Sequence, residues 1–180
     1  MRIIGGYNKG RQFKPGKSFR ARPTTDMAKE SLFNILQNRV DFEQIKVLDL
    51  FSGTGSISFE FASRGCPDVT SVESNFHHYH FIREVIEKLR EKHIKTIKAN
   101  AFRFIDTTEM TFNLVFADPP YDHTLFEKVP LLVLSRNIIQ PGGLFILEHS
   151  KNYNFSSFNE FQEERSYGSV HFSFFQIPSD

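Results

Sequence analysis

The sequence has little cysteine, no tryptophan and no long apolar run. Cys66 is the only cysteine, so an internal disulfide is impossible. No stretch is apolar for long enough to cross a bilayer. After Arg2 come Ile3-Ile4-Gly5-Gly6-Tyr7-Asn8, too short an apolar run for a secretory leader. A cytoplasmic protein is expected. Acid is also missing locally: residues 1–22 contain neither Asp nor Glu.

That gap exposes a charge asymmetry which the net charge of +1 hides. Arg2, Lys9, Arg11, Lys14, Lys17, Arg20 and Arg22 are seven of the 22 bases, leaving 15 against 21 acids in the rest of the chain. A +7 arm is therefore joined to a −6 body. A basic block of this kind is an electrostatic footprint for polyanions, and a plain solvated tail is the alternative. Ile3-Ile4-Gly5-Gly6 and Gly10-Arg-Gln-Phe13 read as two short strands around a turn. Phe13 and Phe19 give the arm something to anchor with.

The 180 residues suit one domain with a full α/β core. The 21 phenylalanines read as core filler and carry no functional conclusion. Pro23 disfavours helix at Arg22. Thr24, Thr25 or Asp26 then caps a helix reaching about Gln37, with Ala28, Leu32, Ile35 and Leu36 as its apolar stripe. From residue 46 strands and helices alternate. The strands are Lys46–Leu50, Val69–Glu73, Ile94–Lys98, Asn113–Ala117 and Leu144–Glu148. The helices are Ser56–Arg64, ended by Gly65, then Asn75–Lys92 and about Leu125–Leu134, which Pro130 should distort or shorten. Pro141-Gly-Gly143 reads as a turn. Glu164–Ile177 reads as a closing antiparallel hairpin around Gly168-Ser169. This alternation implies a parallel sheet with helices on both faces.

Two strand ends carry the chemistry. After the first strand comes Asp49-Leu-Phe-Ser-Gly-Thr-Gly55. Gly53 and Gly55 open a helix and let backbone approach a ligand at its N-terminus. Ser58 stands where a dinucleotide fingerprint has its third glycine, which argues against NAD. Glu73 ends the second strand, 24 residues after Asp49, where a carboxylate can accept from a ribose diol. Asn100-Ala101-Phe102 can border an adenine; a helix cap with a core Phe is the competing reading. After the fourth strand comes Asp118-Pro119-Pro120-Tyr121. A carboxylate, two rigid prolines and an aromatic form a corner that can hold a flat heterocycle by its exocyclic amine.

The combination Asp-x-Phe-x-Gly-x-Gly with Asp-Pro-Pro-Tyr resembles the class I S-adenosylmethionine-dependent methyltransferases that modify exocyclic amines. Arg2-Ile-Ile-Gly-Gly6, Arg22-Pro-Thr-Thr-Asp26, Leu32-Phe-Asn34 and Ser63-Arg-Gly65 narrow the likeness to the RsmD family of 16S ribosomal RNA guanine-N2 methyltransferases. The likeness runs from Arg2 to about Glu148. It implies a Rossmann-like fold: a mostly parallel seven-stranded sheet with helices on both faces, a C-terminal antiparallel hairpin and a small N-terminal β extension. Residues 1–22 would be an RNA-binding extension acting through Arg2, Lys9, Arg11, Lys14, Arg20 and Arg22. Residues 23–180 would be the methyltransferase domain. Asp49, Phe51, Gly53 and Gly55 would border the methionine part of S-adenosylmethionine. Glu73 would hold the ribose, and Asn100, Ala101 and Phe102 the adenine. Asp118, the Pro119 carbonyl, Pro120 and Tyr121 would form the base site. Cys66 is expected to be packing only.

The implied chemistry is self-consistent. A guanine N2 lone pair is delocalised into the ring. Asp118 and the Pro119 carbonyl can accept from its two N–H groups and favour a pyramidal nitrogen. The amine gains positive charge in the transition state, which a nearby carboxylate stabilises. Tyr121 would stack on the base, and the target must leave its own stack to reach the corner. The implied partner is 16S RNA or the small ribosomal subunit. An adenine-N6 methyltransferase on DNA or RNA is the nearest rival, since the same corner serves that amine. A non-catalytic ribosome-assembly factor with this fold is the rival of another class. His77, His78 and His80 form no ligand set with metal spacing, so no metal is expected. Glu148-His149 could line the cleft or form a buried pair. No membrane partner is expected, and a monomer is the simpler expectation.

Overall fold

Seven strands form one sheet: β1 (Lys46–Leu50), β2 (Asp68–Glu73), β3 (Ile94–Lys98), β4 (Phe112–Ala117), β5 (Ile139–His149), β6 (Phe161–Tyr167) and β7 (Val170–Gln176). Their order is β3-β2-β1-β4-β5-β7-β6. The first five pair in parallel, and β7 enters antiparallel between β5 and β6. The computed structural model describes residues 1–16 and 25–179. Five α-helices complete the described residues: α1 (Asp26–Leu36), α2 (Ser56–Ser63), α3 (Phe76–Leu89), α4 (Ala101–Thr107) and α5 (Val129–Ser135). None of them is long and apolar enough to cross a membrane.

The alternation of side chains along each strand divides the core into two layers. Val47, Leu114 and Phe172 pack with Leu32 and Phe33 of α1, Phe61 of α2 and Val85 of α3. Leu48, Leu50, Val115 and Phe175 pack with Phe104 of α4 and Val133 of α5. Helices thus cover both faces. Asp49 shares the face of Val47 and points to α2, where it meets Ser58.

Local chemistry sets the element ends. Thr25 caps α1 by accepting from the Ala28 N–H. Asn75 caps α3, which ends early, at Leu89, because Arg90 turns left-handed at φ 53°. Pro130 does not break a helix already under way. A short 3₁₀ turn, Phe126–Lys128, precedes α5, and Pro130 falls in the first turn of α5, where its missing N–H costs nothing. The expected turn at Pro141-Gly-Gly143 is instead part of β5, which starts at Ile139 and shifts register against β4 between Phe112 and Leu114. α4 was not expected as an element.

The first residues make one antiparallel bridge, Arg2 with Gln12, rather than a ladder of two strands. Even so, the segment is docked. It lies along α2 from one end to the other. Near the first turn of α2, the Lys29 ammonium donates to the Arg2 carbonyl and to Ser56 Oγ. At the last turn, the Tyr7 N–H donates to the Ser63 carbonyl at 2.8 Å and the Asn8 N–H to Ser63 Oγ at 2.9 Å. Gly6 sits at φ 70°, and a Cβ there would lie 1.7 Å from the Ser63 carbonyl oxygen. Only glycine allows this approach.

Cys66 is fully buried, and its thiol donates to the Ile45 carbonyl at 3.1 Å. Burial pushes it up to about 11. A thiol held protonated and out of solvent is a poor nucleophile. Native protein is expected to resist a thiol-reactive dye over a time in which denatured protein labels fully. Fast labelling of the native protein would contradict a packing role.

Candidate active site at the strand ends

The strand order turns around at β1, which lies between β2 and β4. Such a reversal opens a crevice beyond the carboxyl ends of parallel strands. The loop after β1 borders it. Phe51, Gly53 and Gly55 all have positive φ. A Cβ on Gly55 would press Phe59 at 3.0 Å and Ile82 at 3.1 Å, so glycine lets the loop settle onto α2 and α3. At Gly53 the nearest atom to a Cβ would be the Phe51 carbonyl oxygen at 3.9 Å, so that side of the loop is roomy.

Asp49 is buried beneath the loop. Its Oδ2 accepts from the Ser58 N–H at 3.1 Å and from Ser58 Oγ at 2.5 Å. Burial pushes its carboxyl up to about 7, against the pull of those hydrogen bonds. Ser58 is a residue whose part the sequence did not reveal. It stands in the place of the third glycine and ties strand to helix. Glu73 is fixed by two backbone donors: Gly53 N–H to Oε2 at 2.8 Å and Asn75 N–H to Oε1 at 2.6 Å. Each oxygen retains a lone pair for a hydroxyl. His78 Nδ1 lies 3.8 Å from Oε2, and burial lowers the imidazole pKa while Glu73 raises it.

Asn100 caps α4 through Oδ1, which accepts from the Arg103 N–H at 3.1 Å. The cap reading therefore holds, and the amide nitrogen is the group that can still donate. Ala101 is buried behind it. The half-buried Phe102 ring lies 5.5 Å from Phe51 and 4.8 Å from His123. These three rings connect the loop after β1, α4 and the segment after the proline corner.

β4 delivers Asp118 to the crevice. Its N–H approaches the Leu50 carbonyl at 3.5 Å. Pro119 is buried, Pro120 exposed, and Asp118 and Tyr121 half-buried. Burial holds the Asp118 carboxyl well above the usual carboxylate range, and the charges of Glu148 and Asp49 add to it. Tyr121 is braced on three sides. Its Oη lies 3.4 Å from Glu148 Oε1, its carbonyl accepts from Tyr153 Oη at 2.7 Å, and its ring edges Phe126 at 5.8 Å. Tyr153 stacks on Phe126 at 4.2 Å. Tyr153 was missed in the sequence, although Tyr153, Phe155 and Phe158 form an aromatic run that could have marked a docked segment.

The crevice thus gathers Asp49, the glycine loop, Glu73, Phe102, Asp118, Tyr121 and Glu148. It does not gather the arm's cations equally. Arg2, Lys9, Arg11 and Lys14 are all exposed. Arg2 pairs with Asp26 at 2.9 Å and lies at the glycine-loop end of α2. Lys14 follows Phe13, whose N–H bonds the Met1 carbonyl, and so lies at that end too. Lys9 sits in the turn at the far end. Arg20 and Arg22 fall outside the described residues. His149 is buried, accepts from or donates to Ser173 Oγ at 2.8 Å and joins β5 to β7 rather than lining the crevice. Among the described residues no group of three His, Cys, Asp or Glu could hold a metal ion.

The sequence matches the profile of the family described as Conserved hypothetical protein 95 over residues 1–176. It is 32% identical over 156 residues to ribosomal RNA small subunit methyltransferase D of Escherichia coli K12, covering 82% of this chain and 74% of that one. Among solved structures, a methyltransferase from Escherichia coli called yhhF superposes with a TM-score of 0.86 at 26% identity, over 100% of this chain and 99% of that one. A Thermus thermophilus 16S rRNA N2 G1207 methyltransferase, solved with AdoMet and guanosine, superposes with a TM-score of 0.70. It covers 88% of this chain and 45% of that one, and at 21% identity the likeness is one of fold.

Proposed function

Because the chain belongs to the Conserved hypothetical protein 95 family, that of the ribosomal RNA small subunit methyltransferase D proteins, we propose that it methylates the N2 amine of one guanine in 16S ribosomal RNA. The small ribosomal subunit is the proposed setting. The observation that carries this reading is that Asp118 and its proline corner meet the glycine loop and Glu73 at one sheet edge.

The residues present fit S-adenosylmethionine. Glu73 has both oxygens aimed by backbone donors and can accept from a ribose diol. Phe102 offers a ring to an adenine. Asp49 lies beneath the glycine loop, on the side a sulfonium would take, while Asp118 and Glu148 lie by Tyr121, where the amine gains its positive charge. When bound, S-adenosylmethionine supplies an electrophilic methyl group.

The chain's own residues do the rest. Asp118 and the Pro119 carbonyl accept from the two N–H groups of the amine and aim its lone pair. The carboxylate then stabilises the positive charge that grows on nitrogen. Its raised proton affinity suits it to take the proton that the methylated amine loses. Tyr121, braced by Tyr153, offers a stacking face to the extruded base, worth roughly 1–3 kcal/mol. Fixing amine and methyl donor against each other supplies much of the remaining acceleration.

The test is methyl transfer from labelled S-adenosylmethionine to small subunits and to naked 16S RNA, both from cells lacking this gene. Nucleosides are then identified by mass spectrometry. N2-methylguanosine is the expected product. N6-methyladenosine would overturn the target while keeping the corner's chemistry. Cofactor binding with no transfer to either substrate would favour an assembly factor.

The docked arm is the proposed RNA contact. RNA affinity is expected to fall steeply with salt, because each phosphate contact releases counterions. Replacing Arg2, Lys9, Arg11 and Lys14 by Ala should flatten a log–log plot of affinity against salt by up to about 3–4 in slope. An unchanged slope would remove the arm from the interface.

A further inference from the structure

Glu148 is a buried carboxylate that the motifs above leave without a part. It lies at the carboxyl end of β5. Ala117 pairs with Leu147 in parallel register, so Asp118 and Glu148 occupy the next position on neighbouring strands. Phe116 and Ile146 lie in the layer under α1, α2 and α3, while Ala117 and Leu147 lie in the other. By alternation Glu148 returns to the first face, which Asp49 shares, and Asp118 is the residue that immediately follows β4. Burial raises the Asp118 pKa and the Glu148 charge adds to it, in keeping with two acids at neighbouring strand ends. Tyr121, the proposed stacking ring of the site, reaches Glu148 Oε1 with its hydroxyl. Glu148 therefore faces the same small volume as the amine-holding corner.

Two adjacent carboxylates favour a ligand edge that presents only donors. The Watson–Crick edge of guanine does so at N1–H and N2–H₂, side by side. Adenine and cytosine each put a bare ring nitrogen next to the amine. A carboxylate facing that lone pair is repelled. We propose that Glu148 accepts the N1–H of the target guanine while Asp118 and the Pro119 carbonyl hold its N2 amine, so that Glu148 selects guanine over other amine-bearing bases. This rests on the proposed guanine-N2 reaction and names the residue that sets its specificity. Entry of three N–H donors also relieves the mutual repulsion of the two acids.

The probe is 2-aminopurine, which keeps the 2-amine but has an unprotonated N1. It is placed in 16S RNA at the nucleotide that product analysis identifies. Wild-type protein is expected to prefer guanine over 2-aminopurine by about 100-fold or more in kcat/KM, as sites built to bond an N–H reject analogues lacking it. In Glu148→Gln the amide can donate to the bare N1. The preference should then shrink to within about tenfold, with S-adenosylmethionine affinity retained. Loss of O6 in the probe affects both proteins alike, so the ratio of ratios isolates the N1 contact. Equal discrimination by both proteins would overturn the proposal. So would wild-type protein that accepts 2-aminopurine within about tenfold of guanine, a result that needs no variant to fold. A wild-type protein that makes no N2-methylguanosine would overturn the parent reading and this one with it; a wild-type that makes it without N1 discrimination strikes Glu148 alone.

Discussion

Asp118→Ala is expected to slow methyl transfer by about 100- to 1,000-fold, the usual effect of removing one preorganised electrostatic group. Binding of S-adenosylmethionine should stay within about twofold, since the lost interaction is made to the amine and strengthens only as charge develops. The structure supports this separation. Glu73 and the glycine loop are fixed by their own hydrogen bonds, Gly53 N–H to Glu73 at 2.8 Å and Asn75 N–H to Glu73 at 2.6 Å. None of these involves Asp118. A pH series adds a second reading. Burial and the nearby Glu148 and Asp49 charges raise the Asp118 pKa, so it holds its proton to higher pH than an ordinary carboxyl. The ionised form is the acceptor. Activity should therefore fall as pH drops, with the acid limb above the usual carboxylate range, and Asp118→Asn should flatten that limb. Single-turnover rates and calorimetric cofactor binding decide the matter. Equal loss of binding and rate, or an unchanged acid limb in Asp118→Asn, would take the reacting amine away from Asp118.

What the sequence made legible was local. β1, β2 and β4 are short buried runs and β3 is a short edge run rich in β-branched residues, so each carries its signal within a few positions. Gly53, Gly55, Asp118 and the two prolines are readable because their backbone demands sit within a few positions. The closing hairpin was legible in the alternation on either side of Gly168, and the family likeness added the count of seven strands. Errors arose where distant partners decide. Pro141-Gly-Gly143 has turn residues, and Gly142 does turn left-handed at φ 72°, yet β4 pairs on both sides of it, Phe112 with Ile139 and Leu114 with Leu144, so the strand resumes after a bulge. Ala101–Thr107 is too short to display a helical stripe, and only the Asn100 cap announces it. Ser58, Tyr153 and His123 act through contacts with Asp49, Tyr121 and Phe102. No spacing along the chain foretells those meetings. Lys29 lies beside the apolar stripe of α1 and looks like a solvated base. Its burial depends on a carboxylate in α2.

That carboxylate is Glu60, and Glu60→Ala is expected to destabilise the protein by about 3–5 kcal/mol, the range for breaking a buried ion pair from one side. Glu60 is fully buried. Its Oε2 accepts from the Ile4 N–H at 2.9 Å and lies 3.8 Å from Lys29 Nζ. Its Oε1 bonds Arg64 Nε at 3.1 Å, with Arg64 Nη2 at 3.0 Å. One side chain thus ties the arm, α1 and α2 together. Without it Lys29 keeps the Arg2 carbonyl, Ser56 Oγ and the weaker pull of Asp26, and its charge is poorly compensated in the core. Burial already lowers the Lys29 pKa, and Glu60 is the largest opposing influence. Removing Glu60 lowers it further. The variant then carries a lysine whose folded-state pKa lies further below its unfolded value, so the damage should be full near neutral pH, where the wild-type pair is ionised, and shrink as pH rises toward the ordinary lysine value. Glu60→Gln removes the charge but leaves an acceptor for Ile4, and should keep the arm docked longer. Urea unfolding gives the stability change, and amide exchange at Ile4 and Tyr7 reports whether the arm lifts off before the sheet unfolds. A loss below about 1 kcal/mol, with exchange at Ile4 unchanged, would mean that solvent or rearrangement replaces Glu60 and that it does not hold the arm.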